Sequence, residues 1–204
     1  MIKNVIFDIG NVILEYNPKR YLREKIMDLD LEKILFNEIF QSKEWERLDR
    51  GTITEEEAIN EIIKRNPTIE QDIRKAFENW YELLLPIKET MEVIKILKRE
   101  GYNIYYLSNF HKNSFEVIKQ KYNFLEEFNG GIVSFNENLL KPEFEIYKKL
   151  LEKYNLKGEE CVFIDDMEIN INAAKKININ TILYKDYDNL IKGFKNYGIK
   201  INGK

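Results

Sequence analysis

Polar residues with chemical potential stand at the ends of apolar runs in this 204-residue chain. Asp8 follows Val5-Ile6-Phe7, Ser108-Asn109 follows Ile104 to Leu107, and Asp165-Asp166 follows Cys161 to Ile164. Lys141 comes a small loop after Gly130 to Val133. If these runs are parallel strands of one sheet, every one of the polar groups leaves from the same edge, where open α/β sheets hold ligands. Three carboxylates meeting there would repel and titrate abnormally unless a cation joined them. With no thiolate or imidazole cluster on offer, the expected cation is a hard, oxygen-seeking one such as Mg2+. Lys141 and the donors of Ser108 and Asn109 add positive potential beside it. Such a site is suited to binding a phosphoryl group and attacking it with a carboxylate, giving an acyl phosphate that water can hydrolyse.

The elements that must place these groups are legible from residue pattern. Val5-Ile6-Phe7 reads as a central strand buried on both faces, and Gly10-Asn11 as a tight turn before the apolar run Val12-Ile13-Leu14. Helical spacing then takes over. Asn17-Pro18 marks one helix start, Thr54 with Glu57 is a capping-box signature for another, and Gly51 closes the segment that begins at Trp45. A further helix is expected over 69–84, and no strand is expected from 16 to 84. From Pro86 onward strand and helix alternate, with a last strand at Thr181 to Tyr184. The fold class is therefore α/β, a doubly wound, parallel, Rossmann-like sheet. Residues 1–15 and 85–204 form its core domain, and residues 16–84 an inserted helical cap domain.

Composition bounds the partners. A net charge of -3 supplies no basic field for nucleic acid or an anionic membrane. Cys161 is the only cysteine, which excludes a disulfide framework and reads as small filler in an apolar strand. No leader pattern and no run of membrane-spanning length is present, so a cytoplasmic protein is expected, as a monomer or weak homodimer.

Taken in order, Phe7-Asp8-Ile9-Gly10-Asn11-Val12, Leu107-Ser108-Asn109, Lys141-Pro142 and Ile164-Asp165-Asp166 with Asn170 and Ala173-Ala174 resemble the four motifs of the haloacid dehalogenase (HAD) superfamily. The Asp-x-Gly-Asn-Val form of the first motif resembles the alpha-D-glucose-1-phosphate phosphatase subgroup, and residues 16–84 resemble its cap. The resemblance implies a Mg2+-dependent phosphatase of a small phosphate ester, such as a sugar phosphate. Asp8 would be nucleophile and metal ligand, Asp166 and Asp165 further ligands, and the Gly10 carbonyl the last protein contact. Ser108, Asn109 and Lys141 would hold phosphate oxygens, and Asn170 would orient the Asp165-Asp166 loop.

One departure stands out. Phosphatases of this superfamily usually carry a second aspartate two residues after the nucleophile as general acid, and here that position is Gly10. Losing such an acid costs about 10^2 to 10^4 in rate unless another group serves. Glu15, on the segment leaving for the cap, is the candidate replacement. Trp45, Arg47, Asp49 and Arg50 lie where the cap can face the site, with Arg47 and Arg50 as candidate anion holders, and His111 follows Ser108 by three residues. The competing readings are a metal-independent 2-haloacid dehalogenase and a non-catalytic module on the same fold. The Asp165-Asp166 pair argues against the first, because a carboxylate substrate gains nothing from two more negative charges.

Overall fold

A computed structural model describes residues 1–201. β1 (Asn4–Phe7), every residue of it buried, is the middle of a five-stranded parallel sheet ordered β3-β2-β1-β4-β5. Its neighbours are β2 (Asn103–Ser108) and β4 (Cys161–Asp165), and the edges are β3 (Gly130–Val133) and β5 (Asn180–Leu183). Register pairs Phe7 with Tyr106 on one side and Ile164 on the other, so Asp8 emerges level with Asp165 and one residue short of Ser108. Side chains alternate across the sheet as a pleat requires. Val5 and Phe7 join the core shared with the inserted helices, while Ile6 packs with Tyr105, Tyr147 and Phe163 on the opposite face.

Between β1 and β2 the described chain is helical. α1 (Pro18–Ile26) is capped by Asn17 with proline in its first turn, and α2 (Leu29–Leu35) runs into a single π-turn at Phe36–Phe40. Next come α3 (Lys43–Arg50), α4 (Glu55–Arg65) with the full Thr54–Glu57 capping box, and α5 (Glu70–Phe77). The expected helix over 69–84 breaks in two, since Glu78 is extended and Asn79 is left-handed at φ 56°. The turn that follows, Trp80–Leu83, brings the Trp80 ring to 4.9 Å from Trp45 instead of leaving it on the helix face. Where the insertion leaves the sheet its two connections pair with each other. The Glu15 N–H donates to the Leu85 carbonyl and the Ile87 N–H to that of Ile13, both at 2.8 Å.

After the insertion, α6 (Lys88–Arg99), α7 (Lys112–Lys121), the short α8 (Ser134–Glu137), α9 (Phe144–Lys153), α10 (Glu168–Lys176) and α11 (Tyr187–Asn196) alternate with the strands. α3 also packs on α8. Its closing Gly51 is left-handed at φ 74°, and a Cβ there would stand 2.5 Å from the Phe135 carbonyl oxygen. Both facts penalise a side chain. Gly51→Ala is expected to cost about 1–3 kcal/mol, lowering the thermal midpoint by roughly 2–4 °C per kcal/mol.

Candidate active site

The strand ends place Asp8, Asp165 and Asp166 so that one oxygen from each lies within 4.8 Å of the others. Lys141 reaches between them, its Nζ 2.7 Å from Asp8 Oδ1 and 2.6 Å from Asp165 Oδ2. It is held from its backbone. Asn109 Oδ1 accepts the Lys141 N–H at 2.9 Å, and Asn109 Nδ2 donates to the Lys141 carbonyl at 3.1 Å. The Asn109 side chain, expected to bind phosphate, lines the cavity above the cluster and in this structure positions the Lys141 backbone. Asp165 is saturated, accepting from Lys141, from the Met167 N–H at 2.8 Å and from Asn170 Nδ2 at 3.0 and 3.1 Å. Asp8 Oδ1 also accepts the Ile9 N–H at 2.7 Å, which fixes its rotamer.

Within the expected Gly10-Asn11 turn the left-handed residue is Asn11, at φ 53°. Asn11 uses the position fully: Nδ2 donates to Asp166 Oδ2 at 3.0 Å, and Oδ1 accepts the Tyr16 N–H at 2.9 Å. It thereby ties the Asp166 loop to the first connection into the helices. Only its tolerance of left-handed backbone was visible in the sequence.

Charge in this cluster does not balance. Against three carboxylates stands one ammonium, and burial pushes Asp8 up to about 7 although Lys141 pulls it down, with Asp165 adding to the rise. Asp166 is raised as well, first by its burial. Lys141 stays charged, because Asp165 and Asp8 outweigh the burial that pulls it down. An all-oxygen donor set with excess negative charge fits a hard divalent cation.

A cavity of about 340 Å³ opens above the cluster, with Asp8, Gly10, Ser108, Lys141 and Asp166 in its floor. Its roof comes from the inserted helices and connections: Tyr16, Phe40, Trp45, Asp49, Trp80 and Leu84. The rings touch one another, Phe40 to Trp45 at 4.5 Å and Trp45 to His111 at 4.2 Å. A larger hollow of about 560 Å³ beside Thr52 and Asn113 holds none of the carboxylates and lies off the chemistry.

Three expected site residues do not reach this cavity. Glu15 pairs with Arg20 at 2.9 Å, both side chains nearly half exposed, because the paired connection turns it outward. Arg47 pairs with Glu61 at 2.5 Å on the outer face of α3. Arg50 donates to Glu143 at 2.5 and 3.2 Å and to the Asn138 carbonyl at 3.2 Å, clamping α3 to the core, and lines a neighbouring hollow of about 360 Å³ with Asp49, Asn109 and Lys141. The inward face of α3 is Trp45, Leu48 and Asp49, spaced i, i+3, i+4. Asp49 Oδ1 lies 3.3 Å from His111 Nε2. Burial pushes Asp49 up to about 8, against the pull of Lys141, with Asp8 and Glu46 adding to the rise. His111 is pushed down to about 3 by burial and is neutral.

A model of the haloacid dehalogenase-like hydrolases matches residues 2–178. The chain belongs to that family. Among relatives of this HAD hydrolase, the sesquiterpene phosphatase astK of Aspergillus oryzae is 24% identical over 177 residues, 87% of each chain. Flavin mononucleotide hydrolase 1 of Arabidopsis thaliana is 22% identical over 159 residues, 78% of this chain and 63% of that one. The HAD family enzyme bt-2542 of Bacteroides thetaiotaomicron, solved in complex with magnesium and inorganic phosphate, superposes with a TM-score of 0.71 at 26% identity, covering 93% of this chain and 99% of that one. No helix among the described residues is long and apolar enough to cross a membrane.

Proposed function

We propose that this HAD hydrolase is a Mg2+-dependent phosphomonoesterase that works through an aspartyl phosphate on Asp8. The observation that carries the reading is the buried cluster of Asp8, Asp165 and Asp166 around Lys141. Asp8 and Asp166, with the Gly10 carbonyl and with Asp165 in support, would hold the ion, which when bound neutralises the carboxylates and polarises phosphoryl oxygens. Asp8 attacks phosphorus. Lys141 and Ser108 hold the equatorial oxygens as charge develops, and the ring-lined roof keeps bulk water away from the reacting group. A metal-free dehalogenase would have to bring a carboxylate substrate against two further carboxylates, which this cluster disfavours.

The roof also bears on the leaving group. Its walls are mainly Tyr16, Phe40, Trp45, Trp80 and Leu84, which offer flat and apolar contact but few partners for the hydroxyls of a sugar. An alcohol with an apolar or aromatic face fits better than glucose, in keeping with relatives that act on a sesquiterpene phosphate and on flavin mononucleotide. In an assay with p-nitrophenyl phosphate, EDTA is expected to abolish turnover and excess Mg2+ to restore it. A panel of prenyl monophosphates, flavin mononucleotide, and sugar 1- and 6-phosphates then decides the class. We expect kcat/KM at least about tenfold higher for the apolar and flat esters, since one well-placed apolar group is worth about 1–3 kcal/mol. No turnover of any ester by folded protein would refute the phosphatase, and halide release without metal would install the dehalogenase.

A further inference from the structure

We propose that Asp49, delivered by α3 from the inserted helices, is the general acid and base of this site, standing in for the side chain that Gly10 lacks, with His111 positioning its carboxyl. The proposal rests on the phosphatase reading above. At Gly10 the structure leaves room, since a Cβ there would meet nothing within 4 Å. Across the same cavity Asp49 is the acid that the roof contributes, facing a floor that holds Asp8 and Lys141.

Its placement is fixed from both sides. The Ser134 hydroxyl, directly after β3, donates to the Asp49 backbone carbonyl. One residue on, Arg50 grips Glu143, two positions past Lys141, while Asn138 Nδ2 donates to the Arg50 carbonyl at 2.9 Å. α3 is thus bolted to the segment that carries Lys141, so Asp49 and Lys141 hold their relative positions without a large cap movement.

His111 supplies the second observation. Its ring is 3% exposed and wedged against Trp45 and Trp80, with centroids at 4.2 and 5.1 Å. Neither ring nitrogen completes a hydrogen bond of good geometry, and Nε2 lies 3.3 Å from Asp49 Oδ1. A buried imidazole whose hydrogen bonds are not completed is costly, about 1–3 kcal/mol, and the groups it faces are the Trp45 backbone and the Asp49 carboxyl. A small rotation of the Asp49 carboxyl closes the contact.

Elimination points the same way. Of the other proton carriers in the cavity, Asp8 is the nucleophile, Asp166 would hold the cation and Lys141 is locked in its pairs. Tyr16 is pushed well above its usual range by burial, with the Asp49 charge adding to it, which makes it a reluctant donor. Asp49, raised by burial and by Asp8 and Glu46 against the pull of Lys141, holds its proton at neutral pH and can release it.

The steps balance. In the first, an Asp8 oxygen forms a bond to phosphorus, the bond from phosphorus to the ester oxygen breaks, and that oxygen takes the Asp49 proton as the alcohol leaves. In the second, Asp49, now a carboxylate, removes a proton from water as the water oxygen bonds to phosphorus. The acyl phosphate bond then breaks, Asp8 is restored, and Asp49 is again protonated. One water is consumed, and alcohol and phosphate are released.

The test is Asp49→Asn in the Mg2+-loaded enzyme, with Asp49→Ser as a second variant, followed by rapid mixing with a series of phosphate esters. With p-nitrophenyl phosphate, whose phenol leaves without help, one equivalent of p-nitrophenolate is expected in a fast burst. Steady turnover then falls by about 10^2 to 10^4 because water is no longer activated. With alkyl phosphates the first turnover itself drops by a similar factor. His111→Gln should reproduce the leaving-group dependence at smaller amplitude, and a uniform loss would remove it from the proposal. If wild type turns over these esters and both Asp49 variants lose first-turnover rate equally on p-nitrophenyl and alkyl phosphates, or lose no rate at all, Asp49 is not the acid. If wild type turns over none, the phosphatase reading itself has failed.

Discussion

Asp8→Asn is expected to lower kcat by about 10^4 or more while leaving the protein folded and, without Mg2+, at least as stable as wild type. An amide cannot form the acyl phosphate. Its oxygen can still accept the Ile9 N–H, which now holds Asp8 Oδ1 at 2.7 Å, so the rotamer is kept. The stability half follows from charge. Burial already drives Asp8 toward its neutral form, up to about 7, against the pull of Lys141, and the nearby Asp165 adds to the rise. A permanently neutral amide at this position removes that repulsion, so rate and stability move in opposite directions, as they do where a site is built for function at the expense of the fold. Thermal unfolding without metal and the p-nitrophenyl phosphate assay with it measure the two halves. A variant that keeps turnover would exclude Asp8 as nucleophile.

The core of this site could be read from sequence because its signals are local. Val5-Ile6-Phe7 and Cys161 to Ile164 are apolar runs that only buried strands accommodate, and each ends on a carboxylate. Parallel pairing then forces Asp8 and Asp165 to one level without further information. The roof obeyed other rules. Glu15 is close to Asp8 in sequence, but the connection that carries it is zipped to Leu85 and Ile87 and presents it to solvent beside Arg20. Asp49 is 41 positions from Asp8, and tertiary packing of α3 on α8 brings it in. Its signal was available in the i, i+3, i+4 spacing of Trp45, Leu48 and Asp49, which sets Asp49 on the apolar face of α3 and Arg47 off it. Asn109 shows the opposite difficulty. Its type and position suggest a phosphate donor, and nothing local reveals that both amide atoms are committed to the Lys141 backbone.

Lys141→Met should separate the two sources of positive charge in the cluster. Nζ bridges Asp8 at 2.7 Å and Asp165 at 2.6 Å, with the side chain almost fully buried, so a neutral Met leaves two buried carboxylates uncompensated. Removing one partner of such a group costs about 3–5 kcal/mol, which at this length lowers the midpoint by on the order of 10 °C. Backbone placement survives, because Asn109 grips the peptide at residue 141 and not the side chain. With Mg2+ present the cation takes over part of the compensation, so added Mg2+ should raise the midpoint of the variant by several degrees more than that of wild type. Turnover should behave differently. A divalent ion beside Asp166 cannot also hold the phosphoryl oxygens on the Lys141 side, so kcat stays about 10^2 to 10^3 below wild type at saturating Mg2+. An equal Mg2+ response in variant and wild type would mean that ammonium and cation do not answer the same charges, and the carboxylate cluster would then not be the metal site.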